Sequence, residues 1–294
     1  MASGLLILPQ EQIERLLANY GRAVARRRRQ FYLVVAVLAL LAAVAGRYGE
    51  VDPPYLLQHI SNFTSYFGRI LPTLTFTHFA ADVADWYWNL SGWLKLLVDT
   101  VLIAYLGTLI GTLGAFATAF LTAQNTAPNG SLRFAVKRFH EFCRTVPDIV
   151  FALLFVAAFG LGPLPGVLAI GIHSLGALGK LFTEVVENID MKPVEGVRST
   201  GGNFVETVRF AVLPQVLASF ASYALLRFEI NVRSGTVIGI VGAGGIGQDL
   251  FVAIRKFYYT DVSAILLMII VTVALFDLIS ERIRHHLARL ESAR

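Results

Sequence analysis

The sequence predicts an all-α integral membrane protein with about six transmembrane helices and an N-terminal amphipathic helix. Three observations lead there. Of 294 residues, 55% are hydrophobic and only 15% charged, against about 25% charged in a soluble domain. Several apolar stretches reach the roughly 20 residues that cross a bilayer. Lysines and arginines alternate between rich and poor in the segments joining those stretches.

At the N-terminus, Ile13, Leu16, Leu17, Tyr20 and Val24 recur at helical spacing. This predicts an amphipathic helix on the membrane surface within residues 1–29. Four arginines at 26–29 then precede the apolar run 31–45. That run resembles a signal peptide with an AVA cleavage site. Glu11, Glu14 and the length of the preceding segment argue instead for a retained first span at about 30–47. Five further spans are predicted at about 96–122, 145–162, 166–187, 214–232 and 262–280. Lipid forces each into a helix, because no water is present to satisfy an open backbone.

Segment 48–95 is long and aromatic. Trp86, Tyr87, Trp88 and Trp93 suit a headgroup-level belt or a docking face for an external partner. In the second span Gly107 and Gly111 form GxxxG, and Gly114 extends a face that lets helices approach closely. With the N-terminus inside, seventeen lysines and arginines fall in inner segments and five in outer ones. Both termini are therefore expected in the cytoplasm, on a multi-pass chain of the inner membrane. The net charge of +5 is explained by topology, without nucleic acid. The chain divides accordingly into 1–29, 30–95, a core at 96–283 and a basic tail at 284–294.

The stretch VGAGGIGQDL, 241–250, spells Gly242-x-Gly244-x-x-Gly247, and Asp261 follows 14 residues later, near where a ribose-binding carboxylate would be wanted. A dinucleotide turn needs a strand before it and a βαβ sheet around it. Residues 236–241 could mimic the strand, but a span follows and no βαβ alternation precedes. Gly242, Gly244, Gly245 and Gly247 are read instead as an outer turn where broken backbone lines a cavity. Gly176-Ala-Leu-Gly179-Lys180 lacks the glycine spacing and hydroxyl of a phosphate loop. His140, Glu141 and Cys143 could be imagined as metal ligands, but nothing completes a site. No catalytic residue, metal or cofactor is expected in this chain.

The most informative segment is PVEGVRSTGGNFVETVRFAVLP, 193–214. It reads as two short helices and a turn. Pro193 suits a first helical position and Glu195 a first turn. Gly201 can take the left-handed conformation that ends a helix. Asn203 and Glu206 make a capping box, and Pro214 opens the next span. Phe204, Val208 and Val212 would project toward a partner or the membrane surface. The segment could also be a plain amphipathic connector.

Ionisable groups inside spans are costly and face a cavity or a partner. His173, Arg227 and Arg233, with Ser234 and Thr236, are candidates to line a path. Arg227, Glu229 and Arg233 could equally hold the fifth span in register. The spacing puts Arg227 and Glu229 on different helix faces. Lys180, Glu184 and Glu187 share one face and predict an ion-paired helix end.

Here the residues resemble a family. Glu195, Gly201, Leu213 and Pro214 stand at the spacing of the EAA loop of bacterial ABC importer permeases. Gly196 and Val197 replace its two alanines, and Ala211 its isoleucine. Over residues 95–285, CRTVPDIVFALLFVAAFGLGPLPGVLAIGIHSLGALGKLFTE, VEGVRSTGGNFVETVRFAVLPQ and SYALLRFEINVRSGTVIGIVGAGGIG look like permeases of phosphonate importers. Methionine-importer permeases share the loop and a similar glycine turn, but not RFEINVR. The resemblance implies a type I ABC importer permease fold in which the loop docks on a separate ATPase. It further implies two ATPase copies carrying ATP and Mg, and a second copy of this permease or a paralogue of it. An extracytoplasmic phosphonate-binding protein would deliver cargo. Phosphonates or related phosphorus oxyanions would cross by alternating access; the same class with another small solute, such as methionine, stays open.

Overall fold

The structure is a computed structural model that describes residues 9–292, apart from the side chains of Ile13 and of 287–292. Ile13 of the predicted amphipathic face, and Arg289 and Arg294 of the tail, therefore lie outside the described side chains. Every regular element among the described residues is helical. The chain forms two compact units, Met1–Tyr66 and Phe67–Arg294, with the division inside one short helix.

The first unit holds α1 (Gln10–Tyr48), α2 (Pro53–Gln58) and most of α3 (Ile60–Ile70). The expected surface helix and first span are one continuous α-helix of 39 residues, α1. No proline or break separates them, so the propagation of hydrogen bonds runs straight from the polar segment into the apolar one.

The second unit begins with α4 (Phe79–Trp86) and α5 (Leu90–Thr122). Then come α6 (Gly130–Thr145), α7 (Asp148–Phe159) and α8 (Pro163–Glu187). The short α9 (Met191–Ser199) and α10 (Phe204–Thr207) lead through a π-helical turn, Val208–Val212, into α11 (Leu213–Gly239). The unit ends with α12 (Ile246–Arg255) and α13 (Tyr259–Ser292).

Five helical stretches among the described residues are long and apolar enough to cross a membrane: α1, α5, α8, α10 through α11, and α13. The span expected at 145–162 is shorter than expected. Pro147 and the turn at Gly160 and Gly162, both with positive φ, confine α7 to 12 residues. That is about 18 Å of helix, short of the roughly 30 Å hydrocarbon core. Helices α6 and α7 make a sixth candidate only as a pair bent by 87°.

The bundle is built around α8. On one side α5 lays Gly107, Gly111 and Gly114 against it; a Cβ on Gly111 would stand 2.6 Å from the Ser174 Cβ and 2.8 Å from the Gly171 carbonyl. The predicted small face is therefore a helix–helix contact, closed by van der Waals packing. On the other side Gly176 and Gly179 receive α6. A Cβ at Gly176 would be 2.6 Å from the His140 carbonyl, and one at Gly179 would meet the His140 imidazole. Thr118 spends its proton on the Gly114 carbonyl and so accepts from His140 Nε2 at 2.8 Å.

Part of the aromatic segment is packed into the fold. Trp93 is buried with Ile246, Leu250 and Val262. The Trp86 indole donates to the Thr260 carbonyl at 3.1 Å and the Ser263 hydroxyl at 3.0 Å, and Trp88 donates to Asp261 at 3.1 Å. Burying a ring while its N–H finds a partner is the usual solution for tryptophan. Asp261, placed by sequence where a ribose ligand would be wanted, is thus an indole acceptor. Just before α4, the Thr75 hydroxyl and N–H both donate to Asp82, which holds its carboxyl below the usual range.

Candidate functional site

The two motif-bearing segments lie at opposite ends of α11. At its N-terminal end, α9 is capped by Asp190, whose carboxylate accepts the Lys192 N–H at 3.0 Å. The helix starts two residues earlier than Pro193 suggested, because Asp190 is the available cap. It ends at Gly201, whose φ of +87° and N–H to the Arg198 carbonyl give the left-handed stop read from sequence. Asn203 and Glu206 form the full capping box: Asn203 accepts the Glu206 N–H at 3.0 Å, and Glu206 accepts the Asn203 N–H at 2.8 Å.

Pro214 follows the π turn by one residue, Leu213. There the Leu213 N–H reaches back five residues to the Val208 carbonyl. The wider turn relieves the clash a proline ring makes with the carbonyl four residues before it.

Burial sorts the loop's residues into two faces. Val194 and Val212 are completely buried with Phe182, Val186 and Phe220, and Val197 and Val208 pack against them. Val208 and Val212 were expected to project with Phe204. They instead anchor the loop, since the π turn rotates them onto the bundle. Glu195, Gly196, Phe204, Val205 and Phe210 are exposed, and a Cβ on Gly196 would meet nothing within 4 Å. Leu213 is half-buried and Pro214 exposed.

Along α11, the polar residues divide by face. Arg227 Nε donates to the Ser174 hydroxyl on α8 at 3.2 Å. One turn on, Asn231 Nδ2 donates to Ser174 and to Thr108 of α5, both at 2.8 Å. Thr108 spends its own proton on the Ala104 carbonyl, which fixes the asparagine amide with Nδ2 toward the hydroxyls. The Asn231 Oδ1 is buried without a partner. His173, half-buried on α8, uses Nδ1 to donate to the Val146 carbonyl at 3.0 Å, and stands within electrostatic reach of Arg227 and Asp148. Ser174, Thr108, Asn231 and Asp148 were not singled out from sequence. Asn231 carried a usable signal, because an amide inside a span requires partners.

The opposite face carries Glu229, buried between Arg233 at 3.5 Å and Arg284 of α13 at 3.6 Å. Arg227 and Glu229 point different ways, as their spacing predicts, and Arg233 belongs to the ion pair rather than to the Arg227 cluster. The Thr236 hydroxyl donates to the Arg233 carbonyl at 2.7 Å, and Ser234 is half-buried. Lys180 pairs with Glu184 at 3.4 Å, while Glu187 accepts the Gln124 N–H at 2.9 Å.

At the other end of α11, residues 236–239 are helix, not strand. Gly242, Gly244 and Gly245 have φ between +81° and +86°. The Gly242 carbonyl accepts the Gly162 N–H at 3.0 Å, and the Ile246 N–H donates to Thr100 Oγ1 at 2.9 Å. A Cβ at Gly247 would fall inside the Thr236 carbonyl, and one at Gly245 on the Thr100 hydroxyl. The motif serves close packing among α5, α8, α11 and α12.

Long apolar helices around a guanidinium, with a capped exposed loop at one end, describe a membrane transport subunit. The chain belongs to the family of binding-protein-dependent transport system inner membrane components, whose model matches residues 111–291. It is 38% identical over 280 residues to the phosphite transport system permease protein PtxC of Stutzerimonas stutzeri, covering 95% of this chain and 96% of that one. It is 41% identical to the phosphate-import permease protein PhnE of Mycolicibacterium smegmatis, over 64% of this chain and 36% of that one. A chain of Escherichia coli K12 named for a cryptic phosphonate transport system is 53% identical over 40% of this chain and 98% of its own length. The fold is similar to that of a chain in an inward-facing structure of the MetNI methionine ABC transporter, with a TM-score of 0.57 at 18% identity, covering 66% of this chain and 95% of that one. The protein is thus a multi-pass inner-membrane subunit of an ABC importer.

Proposed function

We propose that the protein is the permease of an importer for phosphonates or related phosphorus oxyanions. Both termini lie in the cytoplasm, as the lysine and arginine bias requires. Two copies of the chain form the path, and an extracytoplasmic binding protein delivers the cargo. Two ATPase subunits, which hold ATP and Mg, dock on the loop at 193–214 of each copy.

The observation that carries the cargo reading is Arg227. A guanidinium within a membrane helix is costly and is retained for a partner or a permeant. Ser174 takes only its Nε, so the two Nη groups keep the planar fork that suits a phosphorus oxyanion. His173 would join it when protonated at Nε2, since Nδ1 is already committed to Val146. The relatives are named for phosphite, phosphate and phosphonate transport, which supports the same chemistry.

The test is uptake and ATP hydrolysis in proteoliposomes holding this chain, its ATPase and its binding protein. Stimulation by 2-aminoethylphosphonate, methylphosphonate, phosphite or phosphate, and not by methionine, is the expected result. Arg227→Gln should lower uptake about tenfold or more, the worth of one charge-assisted hydrogen bond. Stimulation by methionine alone, or full uptake by the Arg227 variant, would sink the cargo reading.

A further inference from the structure

A single side chain joins the start of α9 to the start of α11. Gln215 follows Pro214 in the first turn of α11. Its Oε1 accepts the Asp190 N–H at 3.0 Å, and its Nε2 donates to the Asp190 carbonyl at 3.2 Å. Nε2 also donates to the Ala211 carbonyl in the π turn at 2.7 Å. Both amide protons are committed, and a flipped amide would set N–H against N–H, so the orientation is fixed. Asp190 is itself the cap of α9. Hydrogen bonds therefore run without a gap from the first turn of α9 to the first turn of α11.

The loop's other ties differ in kind. Val194 and Val197 pack by apolar contact, which has no direction. Arg198 reaches the Asn125 carbonyl at 3.2 Å, on the segment after α5. Beside the glutamine, a cavity of about 470 Å³ opens between the end of α8 and α11, lined by Leu181, Glu184, Asn188 and Tyr223. Ile189 and Met191, on either side of Asp190, pack on the apolar core, and the amide adds the directional link from Asp190 to α11.

We propose that Gln215 is a positioning residue that passes displacement of α9 to α11, and along α11 to Arg227 about three turns away. The inference rests on the reading of residues 193–214 as the loop that docks on the ATPase. Helix α11 is a rigid rod, so a push applied at its first turn arrives at the arginine; apolar packing alone would let the loop slide. Loss of the strap should uncouple hydrolysis from transport while sparing ATPase docking.

The experiment uses the complete complex in proteoliposomes with phosphonate as cargo, comparing the wild type with Gln215→Met. Methionine keeps the shape and deletes all three hydrogen bonds. The ATPase should co-purify at the wild-type amount, hydrolysis should persist, and ATP consumed per cargo imported should rise about fivefold, a typical coupling loss. Gln215→Glu keeps the contact to the Asp190 N–H and loses both donations. It should also raise the ratio, and it decides the matter where the methionine variant fails to fold. A wild-type ratio in both variants overturns the proposal, as does a parallel fall of hydrolysis and uptake. Loss of ATPase capture by the Gln215 variants alone would place Gln215 in the docking surface and also overturn it. Absence of capture by the wild-type chain would overturn the docking-loop reading, and this proposal with it.

Discussion

The two ends of α11 are punctuated by glycine in opposite ways. At 239–247 the backbones of α11 and α12 touch, three glycines adopt left-handed φ, and there is no room for a Cβ at Gly239 or Gly247. At 196–202, Gly196 and Gly201 face open space, and only Gly201 has a positive φ. At one end the glycines themselves are closed in by packing; at the other Gly196 and Gly201 stay open, and caps, side-chain hydrogen bonds and the buried Val194 and Val212 hold the loop. The contrast teaches that a glycine motif inside a bundle reports on neighbours it must admit, whereas glycine in an exposed loop reports on the turn and leaves its surface for a partner.

That comparison breaks first at the packed end. Gly247→Ala drives a methyl into the Thr236 carbonyl, so overpacking should cost about 3 kcal/mol or more. The folded yield and melting temperature in detergent should both fall sharply. A variant that melts like the wild type would mean the α11–α12 contact is looser than described.

Next in size is Gly201→Val, whose φ of +87° disfavours a β-branched residue by about 1–3 kcal/mol. Membrane insertion should be normal while ligand-stimulated ATP hydrolysis is lost, because the strain falls on an exposed turn. Normal stimulation in that variant would count against the docking role of residues 193–214. The smallest effect is expected from Asn203→Ala, which removes one half of the capping box at about 1 kcal/mol. It should fray α10 and weaken capture of the ATPase modestly, leaving the melting of the bundle almost unchanged. A large drop in melting temperature would show that the capping box, and not only the buried valines of the loop, holds the bundle together.

Legibility followed the range of the forces involved. The capping box at Asn203 and Glu206 and the stop at Gly201 are local, so spacing alone revealed them. The GxxxG face of α5 was visible as a stripe, but its partner α8 was not. Arg227 stood out as a charge in a span. The residues that hold it, Ser174 and Asn231, look ordinary until α8 and α11 are side by side. Gln215 gave no warning either, because its partner Asp190 is 25 residues away.

The sequence by itself determined the helical class, the spans at α5, α8, α11 and α13, and the two short helices of the loop. Hydrophobic length and hydrogen-bonding within a segment decide those, and both are written along the chain. Only the tertiary structure decided that Arg233 joins Glu229 and Arg284 while Arg227 joins Ser174, and that the cofactor-like glycines are a packing joint. Each of these depends on which helices meet, and helix pairing is set by shape and polar complementarity between segments distant in sequence.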